Sequence, residues 1–163
     1  MIVTLLFDLA RFIPLILFLI YPALLDIEKG EVPNRVWRYI LYGGAITTLE
    51  LIYFNSLALL IVDLTIIAVF SFLGYLLFAL NGWGGADAKA FMVISVSAPM
   101  LPAWGIINGI GFPFTMLPFI VLFTSCLGAC IYALAKKTDV PFSKRKVKFL
   151  PFMLIGLIIA IIL

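Results

Sequence analysis

The sequence predicts an all-α integral membrane protein, a six-transmembrane-helix bundle with its N- and C-termini outside. Three observations carry this prediction. Of the 163 residues, 65% are hydrophobic and only 12% charged, with a mean hydropathy of +1.25, whereas an ordinary soluble domain is roughly 45–50% apolar. Several apolar runs approach the ~20 residues that cross a ~30 Å hydrocarbon core, without the alternation that membrane strands require. Finally, the basic residues concentrate in alternate connections, which gives the bundle a direction.

The first span covers about 2–25. It is too long and too proline-marked for a cleaved signal peptide, and no small-residue cleavage site follows it. Asp8 and Arg11 lie three positions apart on it and are expected to pair with each other and snorkel to the head groups. The second span, about 36–54, carries Glu50 near its outer end, and the third, about 57–80, carries Asp63 in its outer half. The fourth, about 86–105, opens on Asp87. The fifth, about 116–136, holds Cys126 and Cys130 one turn apart. Without histidine or further cysteine these are a poor metal site, and they are expected to pack among Ser125, Gly128 and Ala129. The sixth run, 149–163, has 15 residues, roughly 22 Å of helix, so it is short, strongly mismatched, or cut off where the chain stops. The longest polar connection, about 137–148, leaves no room for a soluble domain, and 1–163 reads as a single membrane-embedded unit.

Ten of the eleven Lys and Arg residues fall in three connections. These hold Lys29, Arg35 and Arg38 after span one, Lys89 at the start of span four, and Lys136, Lys137, Lys144, Arg145, Lys146 and Lys148 between spans five and six. The connections near 55–56 and 106–115 carry none. The positive-inside rule makes the basic connections cytoplasmic. The net charge of +3 then reads as topology and contact with anionic lipid, with no nucleic-acid partner. Lys89 is expected to reach lipid phosphates.

Ionisable groups at membrane depth are costly and are functional candidates by default. Glu50 and Asp63 have no backbone break beside them and read as interfacial or packing residues. Asp26 and Asp87 sit on the cytoplasmic side, each beside a deformation. Asp26 opens "DIEKGEVPN", where Gly30 and Pro33 break the helix. Asp87 follows "NGWGGA", whose glycines allow close backbone approach just before a new helix. Its place on a first helical turn is also what the helix dipole favours. Two carboxylates sharing a site cannot both ionise cheaply, so one keeps a proton. The charged member then draws a proton from water while the other polarises a peptide carbonyl, which is amide hydrolysis without metal, cofactor or covalent nucleophile.

The residue inventory excludes other chemistries. With no histidine in the chain, neither a His-Glu-x-x-His zinc site nor a Ser-His pair is available. The glycines at 82, 84 and 85 follow no strand, so they form no phosphate loop or dinucleotide fingerprint.

"DIEKGEVPNRVW", followed some sixty residues later by "GGADAKAF", resembles the paired motifs of the type IV prepilin peptidases, and specifically the archaeal preflagellin and pilin-like branch of these GxGD-type membrane aspartyl proteases. The resemblance implies a six-helix core with Asp26 and Asp87 as the catalytic dyad, Pro33 and Asn34 as the turn, and Gly84 as the first motif glycine, supported by Gly85, Ala86 and Lys89. Where the Gly-x-Gly-Asp pattern has glycine directly before the acid, this chain has Ala86, whose methyl group denies easy access to positive φ. It further implies a plasma-membrane endopeptidase whose active site faces the cytoplasm. Its partners would be pilin-like or archaellin precursors, cut between a short basic leader and a hydrophobic helix. No Cys-x-x-Cys region precedes Asp26, so methyltransferase activity is not expected. Glu28 and Glu31 are candidates to attract leader lysines or arginines, against a reading as solvated acids balanced by Lys29 and Arg35. The alternative from another class is a small proton- or ion-coupled transporter using Asp8, Glu50 and Asp63, for which an internal repeat is expected and no convincing one is found.

Overall fold

The computed structural model describes residues 2–55, 57–80, 83–99, 117–135 and 148–162. Among these, all regular structure is helical: α1 (Ile2–Lys29), a 3₁₀ turn (Asn34–Arg38), α2 (Tyr39–Phe54), α3 (Leu57–Ala79), α4 (Gly85–Ser97), α5 (Leu117–Ala135) and α6 (Leu150–Ile162). Three stretches, Leu6–Lys29, Leu60–Ala79 and Leu117–Ala135, are long and apolar enough to cross a bilayer, and α6 is a shorter apolar helix. Large apolar side chains such as Leu17, Phe72 and Leu134 point outward. That surface suits lipid and not water, as expected of a membrane protein.

α1 runs past the expected end of span one, through Asp26 to Lys29, with Pro14 and Pro22 inside it. It stops at Gly30, whose φ of +70° is the left-handed conformation that glycine adopts without a Cβ penalty. The Gly30 N–H donates to the Asp26 carbonyl at 3.1 Å. Pro33, with φ −59° and ψ 139°, then starts the 3₁₀ turn. Trp37 of that turn is buried edge-on against Phe18 of α1, at a centroid distance of 6.1 Å.

The fourth element is shorter than the expected span 86–105. α4 ends at Ser97, and Ala98 leaves the helix at φ −148° and ψ 73°. The cause is local: Ala98 precedes Pro99, and the proline ring disfavours helical conformation in the residue before it. Residues 100–105 lie outside the described residues, as do the basic residues Lys136, Lys137, Lys144, Arg145 and Lys146.

α4 packs against each of the other five helices. Ala88, Ala90, Phe91, Val93, Ile94, Ser95 and Ser97 are all buried, so this helix has no single wet face. Its closest neighbours are α3 and α2, while α6 packs mainly on α5 and α1. Small residues let the backbones approach. A Cβ on Gly43 of α2 would stand 2.6 Å from Ser97 Cβ and 3.0 Å from Ser97 Cα. Nearby, Thr47 donates its hydroxyl to the Val96 carbonyl at 2.9 Å. Rotating Ser97 relieves neither carbon contact, so Gly43→Ala is expected to destabilise the protein by about 1–3 kcal/mol. The check is the thermal unfolding midpoint in detergent, with Gly44→Ala, whose Cβ meets only Val96 at 3.6 Å, as the milder comparison.

The two cysteines do not pack inward as expected. Cys126 and Cys130 are free and exposed on the outer face of α5, whereas Ser125, Ala129 and Ala133 take the inner face. Ser125 donates to the Phe152 carbonyl of α6 at 3.2 Å.

Candidate active site

Among the described residues, the acids separate into two groups at opposite ends of α1. Asp26 lies in the last turn and Arg11 in the third, 15 positions apart, a separation of about 22 Å along the axis.

At the first end, Asp87 occupies the first turn of α4. Its Oδ2 accepts the Gly84 N–H at 3.2 Å, satisfying one of the donors that a helix start leaves open. The Leu150 backbone N–H, at the start of α6, and the Asp26 carboxyl both act on the Asp87 carboxylate electrostatically. Asp26 itself is 9% exposed, and among the described residues its buried Oδ2 makes no hydrogen bond. The two acids are thus brought to one site from segments far apart in the chain. One oxygen of Asp26 is left open, and Asp87 is held by the Gly84 N–H.

The supporting motif residues fall around this pair. Gly84 caps α4 in an extended conformation, φ −70° and ψ 157°, and a Cβ there would lie 3.2 Å from Asp87 Oδ2. The glycine therefore serves close approach to the acid. Gly85 begins the helix, with the Phe78 ring 3.6 Å from where a Cβ would stand. Ala86 is helical, and among the described residues the only non-glycine with positive φ is Asn55. A methyl group at 86 therefore meets no backbone conflict, and it packs against the core. Lys89 is exposed. Its ammonium donates to Asn34 Oδ1, and this bond ties the segment after Pro33 to the first turns of α4. Glu28 and Glu31 are exposed, just beyond Asp26.

Four further residues complete the site. Lys148 donates to the carbonyls of Asp26 and Ile27 at 2.5 and 2.6 Å. Phe149 meets the Trp83 ring at a centroid distance of 5.2 Å, and Trp83 in turn stands edge-on to Phe91, also at 5.2 Å. The Leu150 backbone N–H acts electrostatically on Asp87. Only Trp83 left a signal in the sequence, as an aromatic ring inside a glycine-rich loop. Lys148 reads there as one more basic loop residue.

At the other end, Arg11 does not snorkel. It is 4% exposed and forms an ion pair with Glu50 of α2, with Asp8 and Asp63 close enough to act on it electrostatically. Asp8 and Asp63 are buried as well. Glu50 and Asp63 are therefore partners in one buried charge cluster that joins α1, α2 and α3. Among the described residues no group of three His, Cys, Asp or Glu side chains is arranged to hold a metal ion.

No curated protein and no solved structure matches the chain. A sequence profile of the type IV leader peptidase family matches residues 13–134, a stretch that holds both the Asp26 and the Asp87 segments. The chain, a membrane protein with three bilayer-length helices among the described residues, therefore belongs to the type IV leader peptidase family of proteases.

Proposed function

We propose that this protein is a membrane aspartic endopeptidase that removes the short basic leader of type IV pilin-like or archaellin precursors, using Asp26 and Asp87. What supports this best is the electrostatic interaction of two acids carried by different helices at one end of the bundle, in a chain of the leader peptidase family. In the proposed reaction, one carboxylate takes a proton from water as the oxygen attacks the scissile carbonyl. The partner, protonated at the start, donates to the carbonyl oxygen. As the tetrahedral intermediate collapses, the amide nitrogen receives a proton, the C–N bond breaks, and one free carboxylate and one new amine result. No metal or cofactor takes part, and no methyl transfer follows.

In this reading, residues 1–163 form one unit of six spans in the plasma membrane, with both termini outside and the dyad at the cytoplasmic border. A basic leader that stays in the cytoplasm while its hydrophobic helix enters the bilayer presents its junction at that depth. Glu28 and Glu31 then meet the leader's positive charges. The transporter reading gains nothing from the fold, because the acids it needs surround the internal cation Arg11.

The test is processing of a tagged precursor by membranes that contain the protein, with the new amino terminus sequenced. Cleavage at the junction of leader and hydrophobic segment is expected. An intact precursor would remove the proposal. Two substitutions refine it. Ala86→Gly, which restores the family pattern at a position already helical, is expected to leave the cleavage rate within about twofold, since it changes helix propensity and not geometry. Gly84→Ala, by contrast, crowds Asp87 and should slow cleavage in the same assay.

A further inference from the structure

We infer that Lys148 is a positioning residue for the scission step, and that residues 148–150 form a clip by which the entry to α6 sets the placement of Asp26 relative to Asp87. This rests on the proposed roles of those two acids. Each of the three residues touches a different part of the site. Lys148 holds the last carbonyls of α1, on Asp26 and Ile27. Phe149 packs on Trp83 of the glycine-rich loop. Leu150 brings its backbone N–H near enough to act electrostatically on the Asp87 carboxylate. The segment lies beyond the family match, which ends at residue 134.

The chemistry of the groups explains the arrangement. Carbonyls at a helix C-terminus carry the negative end of the helix dipole and accept an ammonium readily: the Asp26 carbonyl takes Lys148 on a second lone pair beside the Gly30 N–H. Holding a long lysine side chain in one geometry costs up to about 2 kcal/mol of rotamer entropy, which a lysine serving only as a topology signal has no reason to incur. The first N–H groups of α6 are likewise open donors, and that of Leu150 acts electrostatically on Asp87. A shift of α6 therefore moves the support of both acids at once. Lys148 also sets a positive charge beside Asp26.

The experiment is steady-state cleavage of a tagged precursor by the purified full-length protein in lipid nanodiscs, comparing wild type with Lys148→Met, Lys148→Gln and Lys148→Arg. Thermal midpoints are measured alongside, with Asp26→Ala and Asp87→Ala as references. A misplaced reacting group lowers kcat without weakening uniform binding. Lys148→Met is therefore expected to lose about ten- to hundredfold in kcat, with KM within about twofold. Lys148→Arg, which keeps charge and donors, should recover most of the rate. Lys148→Gln, which keeps a donor but not the charge, should fall between them, and it gives the same reading if the methionine variant does not fold. A folded Lys148→Met or Lys148→Gln with wild-type kcat, or an arginine variant as impaired as the methionine one, would overturn the inference while leaving the dyad in place. Undiminished cleavage by the Asp26→Ala or Asp87→Ala references would overturn the dyad itself.

Discussion

Asp26→Asn and Asp87→Asn are each expected to reduce leader cleavage by about 10²–10⁴-fold, the contribution of positioned general acid–base groups. The bundle should remain folded in both. Asparagine keeps the shape of the side chain. At position 87 its carbonyl oxygen still accepts the Gly84 N–H that Asp87 now receives. What it lacks is a titratable oxygen. At position 26, where Oδ2 is buried without a hydrogen bond among the described residues, the substitution introduces no clash. The comparison is the rate of appearance of processed precursor under single-turnover conditions, with Cys126→Ser, on the outer face of α5, as a control that stays at the wild-type rate. If either asparagine variant cleaves normally, that acid is not part of the reaction.

Arg11→Met is expected to cost about 3–5 kcal/mol of stability, the usual penalty for leaving buried charges without their partner. Arg11 is buried against Glu50 and interacts with Asp8 and Asp63, so its removal strands three carboxylates among three helices. Each must then take up a proton or draw in water, and the contacts between α1, α2 and α3 weaken. The measurement is the unfolding midpoint in detergent, extended to a cycle with Glu50→Gln. The paired variant should lose less than the two single changes taken together, because neutralising Glu50 removes part of the unmatched charge. An unchanged midpoint for Arg11→Met would show that the cluster contributes no stability. The same variant also separates the two ends of the molecule. Arg11 lies about 22 Å from the Asp26 level of α1, so the folded fraction should retain cleavage.

Hydropathy and local backbone signals made much of this fold legible in advance. The helical elements lie close to the apolar runs that mark them, and Gly30 ends α1 as its position before Pro33 suggests. The glycine-rich loop does open a helix with an acid on the first turn. The early end of α4 was also written in the chain, since Ala98 precedes Pro99, but hydropathy alone runs across that break. Partners chosen across helices were not legible. Arg11 pairs with Glu50 of α2 besides interacting with Asp8 on its own helix, and the exposed Lys89 pairs with Asn34. Both choices depend on which helix faces meet. That depends in turn on small residues such as Gly43 at the α2–α4 crossing. The inward and outward faces of α5 follow the same logic, which is why the cysteines are exposed and Ser125 is not. Lys148 is the extreme case, because its role exists only once α6 has docked against α1.

The account rests on Asp26 and Asp87 meeting at one face of the membrane. Cross-linking tests this most directly. Cys126 and Cys130 are first replaced by serine, Asp26 and Asp87 are replaced by cysteine, and a short bifunctional thiol reagent is applied separately to right-side-out and inside-out vesicles. The account predicts an intramolecular link between positions 26 and 87, formed when the reagent enters from the cytoplasmic side. Labelling of the two positions from opposite faces, or no link at either face with both thiols reactive, would contradict it.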